Sequence, residues 1–66
     1  MKSMSEFMLE IMRMNDEELI ELLIAEVENR TTYICNTPRM QTTDWRVVDE
    51  YTDGIESIKA ELFRRM

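Results

Sequence analysis

Along most of the chain, apolar residues return every three or four positions, the spacing that keeps them on one side of an α-helix. Ser3 and Glu6 have the form of a capping box, in which each side chain reaches the other residue's backbone N–H, and they predict a first helix over about 4–14. At about 100° per residue, Met4, Phe7, Met8, Leu9, Ile11, Met12 and Met14 cover more than half of its circumference. Asn15 and Glu18 repeat the signature and start a second helix over about 16–29, whose Leu19, Ile20, Leu22, Leu23, Ile24 and Val27 form a wide apolar face away from Glu17, Glu21 and Glu28. Met14–Asn15 reads as a bend or break between the two. A third helix follows over about 44–65, with Thr43 as N-cap, acids early (Asp44, Asp49, Glu50) and bases late (Arg64, Arg65), as the helix dipole favours. Val48, Tyr51, Ile55, Ile58 and Leu62 alternate steps of three and four, a coiled-coil-like seam from which Trp45 and Phe63 stand apart. Gly54 within it costs up to about 1 kcal/mol relative to Ala and marks a kink or the close approach of another helix.

Residues 30–43 break the pattern with five threonines, Pro38, two arginines and no acid. Helix propensity is poor there. Thr31 to Cys35 is β-branched and aromatic enough to run extended, and Asn36-Thr37-Pro38 reads as a turn. The expected fold is therefore all-α, one domain over 1–66. Helix two packs against helix three as a hairpin along Leu19/Ile20/Leu23/Val27 and Val48/Tyr51/Ile55/Ile58/Leu62, preceded by a short N-terminal amphipathic helix. An extended or short β-like Thr-rich loop joins helices two and three.

Size changes this picture. A chain of 66 residues hides only about 60% of the surface its unfolded form exposes, and small domains usually need a disulfide, a metal or a partner subunit. Cys35 is the only cysteine and there is no histidine, so neither an intrachain disulfide nor a closed zinc site can form from these residues. Oligomerisation remains, with Met4, Phe7, Met8, Ile11, Met12, Leu19 and Leu23 as the expected interface. Fourteen acids against eight bases give −6, which disfavours direct binding to nucleic acid or an anionic membrane. The longest apolar run in the helices, Leu22-Leu23-Ile24-Ala25, is far short of the ~20 residues that span a bilayer. Glu6 and Glu10 interrupt what would have to be a secretory h-region, and the lone cysteine suits a reducing, cytoplasmic setting.

Candidate chemistry is sparse. Cys35 has no histidine to hold it as thiolate. Glu17-Glu18-x-x-Glu21 followed by Glu50-x-x-Asp53 resembles the paired acidic motif of the all-α nucleotide pyrophosphohydrolases, and the resemblance implies Mg²⁺ and nucleotide phosphates between two helices. On ideal helices, however, both acid sets lie more than about 120° from the apolar seams, so a hairpin aims them in opposite directions. Arg30, Thr32, Tyr33, Asn36, Thr37 and Arg39 offer guanidinium forks, hydroxyls and an aromatic face that suit an anionic, nucleotide-like small molecule. The acidic helix faces also admit a nucleic-acid-mimic reading. The leading expectation is a non-enzymatic, cofactor-free protein–protein interaction module. It acts as a homo-oligomer on an unidentified protein, a basic one among the candidates, in the manner of the small inhibitors and adaptors that phages and mobile elements encode. An oligomeric binder of an anionic ligand through the 30–43 loop is the alternative.

Overall fold

The computed structural model describes residues 4–66, apart from the side chain of Met4. The expected cap at Ser3 lies outside the described residues. Three helices, α1 (Met4–Arg13), α2 (Asp16–Cys35) and α3 (Thr42–Arg65), account for nearly all of them, and no strand occurs among the described residues. Side-chain bonds at both ends show that α2 and α3 run antiparallel. The Tyr33 hydroxyl, late in α2, donates to Asp44 Oδ1 at 2.7 Å in the first turn of α3, and Arg65 at the end of α3 donates to Asp16 Oδ1 at 3.0 Å at the start of α2. The N-terminal helix lies along α3, where Phe7 faces Gly54.

A reciprocal capping box separates α1 from α2. Asn15 is extended (φ −77°, ψ 170°), its Oδ1 accepts the Glu18 N–H at 2.8 Å, and its own N–H donates to Glu18 Oε1 at 3.2 Å. These bonds satisfy amide donors that a helix start otherwise leaves without partners.

Between α2 and α3 the expectation needs correction. Residues 30–35 are helical, not extended or β-like, and only residues 36–41 connect the two helices. Local propensity loses to packing: Arg30, Tyr33 and Ile34 become half-buried on the side of α2 that faces α3, while Thr31 and Thr32 stay exposed. Below them the Asn36 N–H donates to Thr32 O at 3.0 Å, and Thr37 Oγ1 donates to Tyr33 O at 2.8 Å, so two late carbonyls of α2 are satisfied. The third helix begins one residue before the expected Thr43 cap, with Gln41 as N-cap and its N–H donating to Asp44 Oδ2 at 3.0 Å. With one oxygen on Gln41 and the other on Tyr33, Asp44 has its acidity raised, chiefly by the Gln41 N–H, and the bond it accepts pushes the Tyr33 phenol upward.

Each helix supplies one fully buried residue to the core, Ile11, Leu19 and Ile58, with Phe7, Met8, Met14, Leu22, Leu23 and Leu62 packed around them. Val48 and Ile55 extend it along α3. The α3 seam follows the expected spacing. On α2 the seam is turned: Leu19, Leu22 and Leu23 point inward, whereas Ile20 and Val27, expected in the seam, are exposed. Continuation of α2 through Tyr33 sets this phase, because Glu26, Arg30 and Tyr33 then share the inward side with Leu19 and Leu23.

At the far end, Arg65 fastens all three helices. Its guanidinium donates to the Ile11 and Met12 carbonyls at 3.2 Å each, to Asp16, and to Glu61 Oε1 at 3.0 Å. The carbonyls belong to the last turn of α1, where a cation is favoured, and the Ile11 carbonyl also accepts the Met14 N–H at 3.3 Å. Glu61 is buried at 4% exposure and also takes Arg64 through Nε at 2.9 Å, and the Arg64 and Arg65 bonds hold its carboxyl down to about 2.

Two outcomes follow. A Cβ at Gly54 would meet the Phe7 ring at 3.8 and 3.9 Å, ordinary van der Waals contact, so Gly54→Ala is expected to stabilise the chain by up to about 1 kcal/mol in urea denaturation; destabilisation would show that α1 needs the bare backbone. Because the Glu61 carboxyl is held to about 2 from an ordinary 4.5, its contribution is complete above 4.5 and disappears as the pH falls towards 2. Denaturation midpoints followed across that acid range should fall more steeply for the natural chain than for Glu61→Gln. Parallel pH curves would contradict the assignment.

Candidate protein-interaction face

Helix phase and the antiparallel register divide the hairpin into two sides. Measured from Ile58 on α3, Gly54 lies about 40° in one rotational sense, towards α1, while Trp45 and Phe63 both lie about 140° in the other. On α2, Ile20, Ile24 and Val27 lie roughly 80–140° from Leu19 in that same second sense. In antiparallel helices that face each other, equal rotation brings residues to the same side. One side of the hairpin is therefore covered by α1, and the other carries Ile20, Ile24, Val27, Trp45 and Phe63.

These five side chains are between 43% and 67% exposed. The Tyr33–Asp44 and Asp16–Arg65 bonds fix their order along the hairpin, placing Trp45 beside the end of α2, Phe63 beside its start, and the α2 stripe between them. Trp45 and Phe63 are 18 positions apart, about 27 Å along α3. Thr52 sits in the interval with its hydroxyl donating to Val48 O at 3.0 Å. Beyond the apolar residues the borders are acidic, with Glu17, Glu21 and Glu28 along α2 and Asp49 and Glu56 along α3, all exposed. Lys59, the cation within this side, lies 3.4 Å from Glu56.

The side chains expected at an oligomer interface separate. Ile11 and Leu19 are completely buried within one copy, so they serve the intrachain core and not an exposed interface. Phe7, Met8 and Leu23 pack half-buried against that core, and Met12 is 52% exposed beside Leu9 on the outer surface of α1. The Met4 side chain lies outside the described residues. Thus α1, expected to stand open for assembly, has its main face docked.

Nor does the proposed anion-binding set converge. Arg30 and Thr32 are both helical and about 200° apart. Tyr33 and Thr37 spend their hydroxyl protons on Asp44 and on the Tyr33 carbonyl, and Asp44 adds a carboxylate where an anion would have to sit. Asn36 caps α2 and Arg39 is exposed in the connection. Glu17, Glu18, Glu21, Glu50 and Asp53 are all exposed, Glu18 is engaged by Asn15, and no cluster of three metal-ligating side chains occurs among the described residues. Cys35 ends α2 as an exposed thiol. Among the described residues no helix is long and apolar enough to cross a membrane.

The open face draws on residues that helical spacing assigned elsewhere. Ile20 and Val27 were expected in the seam, and Trp45 and Phe63 merely off it. Their signal is the shared displacement of the two aromatics, whose spacing of 18 is five whole turns at 3.6 residues per turn. No family model matches the chain, and no match was found among curated proteins or solved structures.

Arg30 provides a check on the reassigned helix. Its Nε is buried without a hydrogen-bond partner, an arrangement that costs about 1–3 kcal/mol. Arg30→Met keeps an unbranched apolar stem and removes that donor, so thermal denaturation is expected to show unchanged or raised stability. A clear loss would mean that the guanidinium anchors the hairpin.

Proposed function

We infer that this chain is a protein–protein interaction module whose working surface is the side of the hairpin opposite α1. The carrying observation is the line formed by Trp45, Ile20, Ile24, Val27 and Phe63, large apolar side chains left half exposed on one side. Exposed apolar groups scattered singly are ordinary, whereas a contiguous patch with a polar border marks a contact surface. The acids border the face, and in the connection Thr37 and Gln41 bond to Tyr33 and Asp44 of the flanking helices. An adaptor or inhibitor acts by this kind of occupancy.

Assembly with a second copy is the other reading, and the thinness of the three-helix core favours it. In that case the expected interface moves from α1 to the hairpin face. Both readings require contact at Ile24 and none at Thr32, which lies on α2 about 80° further round and is exposed. A photo-crosslinking amino acid placed at each position in turn, in the cells that make the protein, tests this. Position 24 should yield a discrete crosslinked protein species and position 32 should not. Equal or absent products at the two positions would remove the assignment of this face.

A further inference from the structure

The charges that surround the face select among occupants. We propose that it receives an amphipathic α-helix of another protein, about five turns long, with apolar residues on one side and lysine or arginine along both borders. This rests on the reading of the face as a docking surface.

Shape gives the first argument. Two antiparallel helices leave a shallow channel between them, and Trp45 and Phe63 stand on its α3 side, one towards each end, about 27 Å apart, the length of roughly 18 helical residues. An apolar helix face laid into a groove is a recurrent mode of recognition, read through anchors at i, i+3, i+4 and i+7. Ile20, Ile24 and Val27 have that same spacing along one wall and meet such anchors in step.

Charge gives the second and excludes the more obvious occupant. Glu17, Glu21 and Glu28 line one border, Asp49 and Glu56 line the other, and Lys59 is already beside Glu56. A second copy seated here would bring an acidic border against an acidic border, in a chain of net charge −6. Like-charge juxtaposition opposes that association, whereas a helix with cationic borders gains on both sides and is steered inward by the surrounding field.

The single tryptophan lies in the groove, so binding reports on itself through Trp45 emission. The probe is a tryptophan-free 18-residue peptide of leucine and lysine with leucines at helical spacing. It is compared with a scrambled peptide of equal composition and with a version carrying glutamate for lysine. The patterned basic peptide is expected to become helical, shift Trp45 emission to the blue, and bind at least tenfold tighter than either control, with affinity falling as salt rises. Ile24→Asp should cost at least tenfold while helical content is retained. Glu21→Gln with Glu28→Gln should cost several-fold more than Glu50→Gln with Asp53→Asn, an equal change in net charge away from the groove. Equal binding of the patterned and scrambled basic peptides would overturn the proposal, since only net charge would then be recognised. A dimer that forms through position 24, tightens with salt and excludes the peptide would also overturn it, while leaving the docking surface in place. Loss of the docking surface itself is read separately, from the crosslinking contrast between positions 24 and 32.

Discussion

One guanidinium holds this fold in register. Arg65 is the point at which the end of α1, the start of α2 and the last turns of α3 meet, and it does so through two carbonyls and two carboxylates. Three helices with one fully buried side chain apiece have little packing to determine how they lie against each other. A planar, permanently charged fork fixes several directions at once, which an ammonium on a flexible stem does not. Glu61 makes the arrangement tolerable. Buried between Arg64 and Arg65, it neutralises the clasp and remains ionised because both bonds favour its charged form. Asp44 fastens the other end of the hairpin with the same economy, joining Tyr33 on α2 to the first turn of α3. The specific long-range polar bonds therefore act at the two ends, and the stretch between them packs mainly through apolar side chains, with Glu26 and Arg30 also on the inward side of α2.

That division explains where the open face lies. In the middle of the hairpin, α2 must satisfy two neighbours with one apolar arc: Leu19, Leu22 and Leu23 go to the core, and Ile20, Ile24 and Val27 are left beyond it. The covered side receives α1, with the Phe7 ring facing Gly54 at ordinary van der Waals distance from where a Cβ would stand. No element of the described chain reaches the opposite side. The apolar remainder is thus a consequence of geometry: the arc on α2 is wider than a single hairpin contact uses.

Much of this was legible in the sequence where the signal was local. The Asn15–Glu18 box is two reciprocal hydrogen bonds between residues three apart, and it appears as read. The α3 seam follows because its apolar residues occupy a narrow stripe with a single solution. On α2 six apolar residues span half the circumference, and spacing alone does not say which part of so wide an arc faces α3. The answer depends on Tyr33 finding Asp44, a contact eleven residues apart that also converts Thr31 to Cys35 from β-like residues into the last turns of a helix. Long-range closure decided both the phase of α2 and the length of the connection. Of the grouping Arg30, Thr32, Tyr33, Asn36, Thr37 and Arg39, the first three are spread around the axis of α2 for the same reason, and the other three stay in the short connection.

Acidity and exposed apolar surface then form one design problem. An apolar groove on a small protein invites copies to associate through it, and the carboxylates along both borders oppose that encounter while the groove is empty. Those same carboxylates become favourable contacts when the incoming helix is bordered by cations. In the proposed complex the border sets selectivity by repulsion of self as well as by attraction of a partner, and most of the affinity falls to the apolar anchors between. Such a surface is held ready by the clasps at the hairpin's ends, neither of which has to open for the groove to be filled.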